Sequence, residues 1–150
     1  MAVTAKCFSN MPKAALKKLI TDLNAAGTAV RCALYTSAVA PHQENHVTKA
    51  DITSALTEVT GTGYTAGGAL LTTKAVTEAT RVTKFDADDV EWTSSTITAR
   101  YAVLYDDTPA AEADQYLLIF VDFGENKSSE NGSFKLQWNA SGIMTITVAA

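Results

Sequence analysis

The stretch TITARYAVLY, residues 96–105, alternates with a period of two and limits what this chain can become more narrowly than any other segment. Ile97, Ala99, Tyr101, Val103 and Tyr105 fall on one face of an extended segment, with Thr96, Thr98, Arg100, Ala102 and Leu104 on the other. Branched and aromatic side chains at that spacing predict a β-strand, because successive Cβ atoms point to opposite sides of the pleat. The second face is only half polar, which places the strand inside a sheet and away from its edge. Three aspartates, Asp86, Asp88 and Asp89, form an acidic turn before it, and Trp92 leads in.

Other segments supply partners for that strand. Residues 3–8 read as a short first strand. Ser9 or Asn10 then caps a helix with Pro12 in its first turn, where a missing N–H costs nothing. That helix is expected to run through Ile20, with Ala15, Leu16, Leu19 and Ile20 on one side and Lys13, Lys17 and Lys18 in water, and to end at Gly27. Residues 29–36 alternate as a core strand. Thr48 followed by Asp51 has capping-box spacing and opens a second short helix. The glycine-rich segment 58–68, EVTGTGYTAGG, lacks the Gly-Lys-Ser/Thr of a phosphate loop and runs into a strand-like sequence, so it reads as a tight connection with Tyr64 packed over it. Residues 70–76 and 81–85 make two strands about a turn at 78–80. Residues 116–123, YLLIFVDF, predict a strand covered on both faces. Residues 124–132 predict a hydrophilic hairpin loop ending in Asn131-Gly132, and 133–139 and 143–148 two further strands of an antiparallel meander. The expected fold is mainly β with a minor helical part: one domain over residues 1–150, an antiparallel β-sandwich with one or two short helices.

Candidate chemistry is sparse. Both histidines, His42 and His46, lie in one polar loop with Glu44 between them, but HQENH puts the glutamate out of place for a metallopeptidase base and no third ligand is marked. The three turn aspartates lack the glycine and distal glutamate of a calcium loop. Asp86 or Asp88 is expected to bond the local backbone instead. Cys7 and Cys32 have no metal spacing and read first as two buried thiols, a disulfide linking neighbouring strands being the minority alternative. The polar loop 106–115 offers carboxylates with nothing to pair them. With no nucleophile–base pair in view, no catalytic, cofactor-binding or metal residue is assigned, and an enzyme is not expected. A net charge of −4 lacks the basic footprint of a nucleic-acid binder, and the apolar runs are too short to span a bilayer. The first ten residues show no secretory pattern, so synthesis and folding in a cytoplasm are expected.

Four segments taken together, GTGYTAGGALL, FDADDVEWTSSTITARYAVLYDDT, YLLIFVDFG and GSFKLQWNASGIMTITV, resemble a family of small structural proteins of tailed bacteriophages. The likeness covers residues 29–148 and, more weakly, the N-terminal strand and helix. It implies a place in the virion, with head-decoration, head-fibre and tail-associated roles all represented among similar proteins. The first expectation is a capsid decoration protein that binds the major capsid protein as a closed homo-oligomer, a trimer being the natural guess. The alternative is a neck, tail or fibre component whose loops 41–47, 106–115 and 124–132 form a receptor-binding rim. Neither role calls for nucleic acid, membrane or cofactor.

Overall fold

The computed structural model describes residues 3–149. It is mainly β, with two antiparallel sheets in a sandwich-like arrangement and two short helices. The strands are β1 (Thr4–Cys7), β2 (Val30–Tyr35), β3 (Ala69–Leu70), β4 (Ala75–Ala79), β5 (Val82–Asp86), β6 (Val90–Asp106), β7 (Leu117–Leu136) and β8 (Met144–Thr147). The helices are α1 (Met11–Leu16) and α2 (Lys49–Ala55). One sheet has the order β1-β7-β6-β2-β3 and the other β4-β5-β8. The alternating segment lies in β6, between β2 and β7, as its apolar second face requires.

The β6–β7 pair is much longer than a typical strand pair, and it corrects the expected meander. Residues 124–132 do not form a loop: β7 runs through them, and Ile97, Thr98 and Ala99 pair with Ser129, Ser128 and Lys127. Polar composition suits a strand that faces water there, and cross-strand hydroxyl pairs replace apolar ones, Ser95 with Ser129 at 2.7 Å and Thr98 with Ser128 at 2.8 Å. Asn131 is left-handed (φ 48°), but it marks an irregularity in a continuing strand and not a reversal.

A second correction concerns the faces of β6. Ala99 pairs with Lys127 and Tyr101 with Asp122, so residues 123–126 stand opposite Arg100 alone. This bulge divides the stripe: Ile97 and Ala99 join the cluster of Ala102 and Leu104, while Tyr101, Val103 and Tyr105 join another. Arg100 spans the break, its Nε and Nη2 donating to Asp122 Oδ1 and Oδ2 at 2.7 and 3.3 Å. Asp122 also accepts the Gly124 N–H at 2.8 Å, and the Arg100 hydrogen bond holds its carboxyl below the usual range.

The five-stranded sheet is thus buried on both faces. Val30, Cys32, Leu34, Ala102, Leu104, Ile119 and Val121 face a large cluster that includes Phe85 from the second sheet and Trp92, Phe123 and Phe134 from the long ribbon. On the other face Ala33, Tyr35, Tyr101, Val103, Tyr105 and Phe120 meet Phe8, Ile52 of α2 and Leu56 just after that helix. Full burial of Ile52 and Leu56 stabilises that packing by about 2 kcal/mol each.

The glycine-rich segment crosses the strand ends by close approach, as its composition predicts. A Cβ on Gly68 would stand 2.0 Å from the Cys32 carbonyl oxygen, and one on Gly61 2.3 Å from that of Thr96. Tyr64 packs on Trp92, ring centroids 5.9 Å apart.

Helix α1 ends at Leu16, short of the expected Ile20. The Lys18 N–H donates to the Ala15 carbonyl and the Leu19 N–H to that of Ala14, which is a Schellman ending with Lys18 left-handed at φ 56°. Leu16 is consequently 88% exposed, and Met11 and Ala14 are the buried residues of the helix. Glycine fits that position without strain, so Lys18→Gly is expected to raise the urea-derived unfolding free energy by about 0.5–1 kcal/mol.

Candidate functional site

The densest meeting of charge lies where β2 begins and β6 ends, beneath α2. The Asp51 carboxylate accepts the N–H groups of Val47 and Thr48, both at 2.9 Å, which fixes the start of α2 as the capping-box spacing predicts. Lys49 therefore projects from the first helical position across the Tyr105 ring, its Nζ 5.4 Å from the centroid. That ammonium is buried. It donates to Thr53 Oγ1 at 3.2 Å and lies 3.8 Å from Glu112 Oε1 and 4.0 Å from Glu58 Oε2. Glu58 Oε1 accepts the Tyr64 hydroxyl at 2.7 Å and the Gly67 N–H at 2.6 Å. Across a depression of about 570 Å³, Arg31 Nε donates to Asp107 Oδ2 at 2.6 Å and Nη1 to the Gly68 carbonyl at 3.0 Å. Gln115 Nε2 closes the rim by donating to Asp107 Oδ1.

This arrangement fastens loops and does not prepare a nucleophile. Burial pushes the Tyr35 and Tyr105 hydroxyls up, with the charges of Glu58 and Asp107 respectively acting in the same sense. Both stay protonated at neutral pH. Tyr105 spends its hydrogen on the Gly67 carbonyl at 2.8 Å, and the Tyr35 hydroxyl is buried without a hydrogen-bond partner. Each charged side chain already has an opposite charge within 4.0 Å. The cluster joins α2, the glycine-rich segment and the 107–115 loop to the sheet.

The residues singled out in sequence fall as follows. His42 Nδ1 accepts the N–H groups of Glu44 and Asn45, and His46 Nδ1 accepts that of His42, so both rings serve the loop's own backbone. The turn aspartates diverge. Asp86 pairs with Lys84 at 3.0 Å, Asp88 accepts the hydroxyls of Thr72 and Thr73, and Asp89 holds the Trp138 N–H and Lys135. Asp86 also accepts the Ala87 N–H at 3.1 Å, the local backbone bond expected of Asp86 or Asp88, whereas Asp88 and Asp89 are long-range clamps. No group of three or more His, Cys, Asp or Glu placed to hold a metal occurs among the described residues. Cys32 is fully buried and its thiol is pushed up by burial; Cys7 is half-buried and likewise free. Trp92, Tyr101 and Tyr105 are core residues.

Asp106 was expected in a polar loop with nothing to pair it. It is instead the last residue of β6 and fully buried. Its Oδ2 accepts the Thr21 N–H and hydroxyl, both at 2.7 Å, and its Oδ1 the Thr108 N–H at 3.0 Å. Sequence reading also passed over Arg31, Lys49 and Glu58. One signal was available for Lys49: a lysine opening a helix opposes the helix dipole and needs carboxylates elsewhere to justify it.

A second surface is apolar. Met11, Ala15, Ile20, Leu23, Met144 and Ile146 line a groove of about 610 Å³ between α1 and β8. Ile146 in its wall and Val148 beyond it are 58% and 63% exposed. No helix is long and apolar enough to cross a membrane among the described residues. Comparison of the chain with known protein families, curated proteins and solved structures finds no match.

Two predictions follow from the polar ties. Asp106→Ala removes the acceptor of three hydrogen bonds, two from half-buried Thr21 and one from Thr108, and should lower the unfolding free energy by about 2 kcal/mol in chemical denaturation. For the His loop, burial holds the His46 imidazole below its ordinary value, helped by His42 and opposed by Asp51. A depressed histidine stabilises the fold above its unfolded value of about 6.5, and that stability is lost as pH falls through the folded value. Stability should therefore drop as pH is lowered from about 7 to 5, and His46→Gln should remove that part of the slope.

Proposed function

We propose that this protein is a structural component of a tailed-bacteriophage particle, specifically a capsid decoration protein that binds the major capsid protein and stabilises the shell. The observation that carries this reading is the ordered set of four resembling segments, and their positions in the fold support it. They supply the glycine-rich crossing, β6, both ends of β7, and β8; the crossing and the β6–β7 pair are packed together, since Thr62 bridges Thr96, Tyr64 meets Trp92, and Trp92 meets Phe134. The likeness therefore extends over one continuous framework and not over scattered surface turns. A fold fastened by internal ion pairs, with open sheet edges and exposed apolar residues, suits a role in assembly.

Decoration acts by mass action: each copy that binds the assembled shell and not its separated subunits stabilises the shell. The neck, tail or fibre alternative retains two of its three proposed rim loops. Residues 41–47 and 107–115 adjoin through the Leu117 N–H to Val47 carbonyl and Lys49 N–H to Gln115 carbonyl bonds, whereas 124–132 belongs to β7.

Labelled protein should co-sediment with expanded shells of the major capsid protein and raise their melting temperature. Density confined to tails in reconstructed particles, or cell binding that disappears when the 41–47 and 107–115 loops are shortened, would overturn decoration in favour of the alternative.

A further inference from the structure

We infer that β8 is a self-pairing edge: two copies of this chain join β8 to β8 in antiparallel fashion across a two-fold axis, merging their three-stranded sheets into one of six strands. The fold has four sheet edges, β1, β3, β4 and β8. Edge strands present unpaired N–H and C=O groups and are ordinarily protected by charge, shortness, proline or a bulge. β1 carries Lys6, β4 carries Glu78, and β3 is two residues long. β8, with the sequence MTIT, is as short as β1 but carries no charge, proline or bulge, and its ladder with β5 is regular from Met144 to Thr147. Residues 136–150 contain no charged side chain at all.

The choice of a second copy as the occupant rests on electrostatics and side-chain register. A chain of net charge −4 repels its own copies over most of its surface. Self-pairing of β1 would set Lys6 against or beside Lys6, and self-pairing of β4 would do the same with Glu78, since like charges across a ladder destabilise it. β8 brings no charge to the axis. Met144, Ile146 and Val148 share one face by the period of two, and the Val148 N–H still bonds the Arg81 carbonyl. Setting Ile146 opposite Ile146 of the second copy places each Met144 beside the other's Val148. That row then continues the apolar wall which Met144 and Ile146 already give the α1 groove.

Isologous pairing through one edge closes at two, so the free protein is a dimer, not the trimer that shell symmetry alone brings to mind. Sedimentation equilibrium of the purified chain should give twice 15.9 kDa. Ile146 is exposed, so Ile146→Lys should leave the far-ultraviolet circular dichroism unchanged while shifting the mass to that of one chain. In a Cys7→Ser background, Ile146→Cys should form an intermolecular disulfide on mild oxidation, whereas Val76→Cys on the opposite edge strand should not. A monomeric wild-type chain, a trimeric mass, or a dimer indifferent to Ile146→Lys would each overturn the pairing. Because no capsid is present in these experiments, their failure leaves the decoration reading untouched.

Discussion

The antiparallel pairing of β6 with β7 is the constraint from which the rest of the structure follows. Its first part, 101–106 against 117–122, forms the middle of the five-stranded sheet and accepts β2 on one side and β1 on the other. Its second part, 90–99 against 127–136, extends beyond that sheet and brings Trp92 and Phe134 back over the main core, their rings 6.0 Å apart. A regular ladder of this length would send one stripe of side chains to a single face throughout. The bulge opposite Arg100 breaks that rule, and the Arg100–Asp122 pair secures the break. Bulges bend strands and increase their local twist. The bend here lets one pair of strands serve two cores.

Among the described residues the buried charges are Asp106, the last residue of β6, and Lys49, which lies over Tyr105 near the same strand end. Asp106 ties the segment after α1 to the end of β6, while Lys49 and Glu58 tie α2 and the glycine-rich segment to the same end of the sheet. Such groups contribute to a single arrangement more than to net stability, because desolvation offsets much of the attraction. They hold in register three loops that carry little apolar surface of their own. The result is a framework rigid at its centre and fastened at one end, with β8 left open at another.

How much of this was legible in the chain depended on whether a residue's role was local. The β6 strand, the α2 capping box and the close-packed glycines were readable because alternation, Thr-x-x-Asp spacing and the lack of a Cβ act over a few residues. Residues 124–132 misled because glycine, serine and asparagine are typical of loops. Their strand conformation depends on the hydroxyl-bearing partners in 95–98, some thirty residues away. Asp106 and Arg31 were invisible for a related reason: a carboxylate or a guanidinium has no sequence signature until its partner is adjacent in space. The early end of α1 turns on Lys18 in a conformation that its side chain does not announce.

By itself, then, the sequence determined a mainly antiparallel β protein with short helices, a central strand buried on both faces, and no assembled chemical group within any local segment. Those properties follow from side-chain periodicity and backbone sterics, which are written residue by residue. Only the tertiary structure decided that β7 is one strand and not two, that the face of β6 changes at Arg100, that charges gather beneath α2, and that β8 is an uncharged free edge. Each of these depends on which distant backbone lies alongside. That choice is made by the whole chain at once, because burying one face of a strand commits every residue that must cover it.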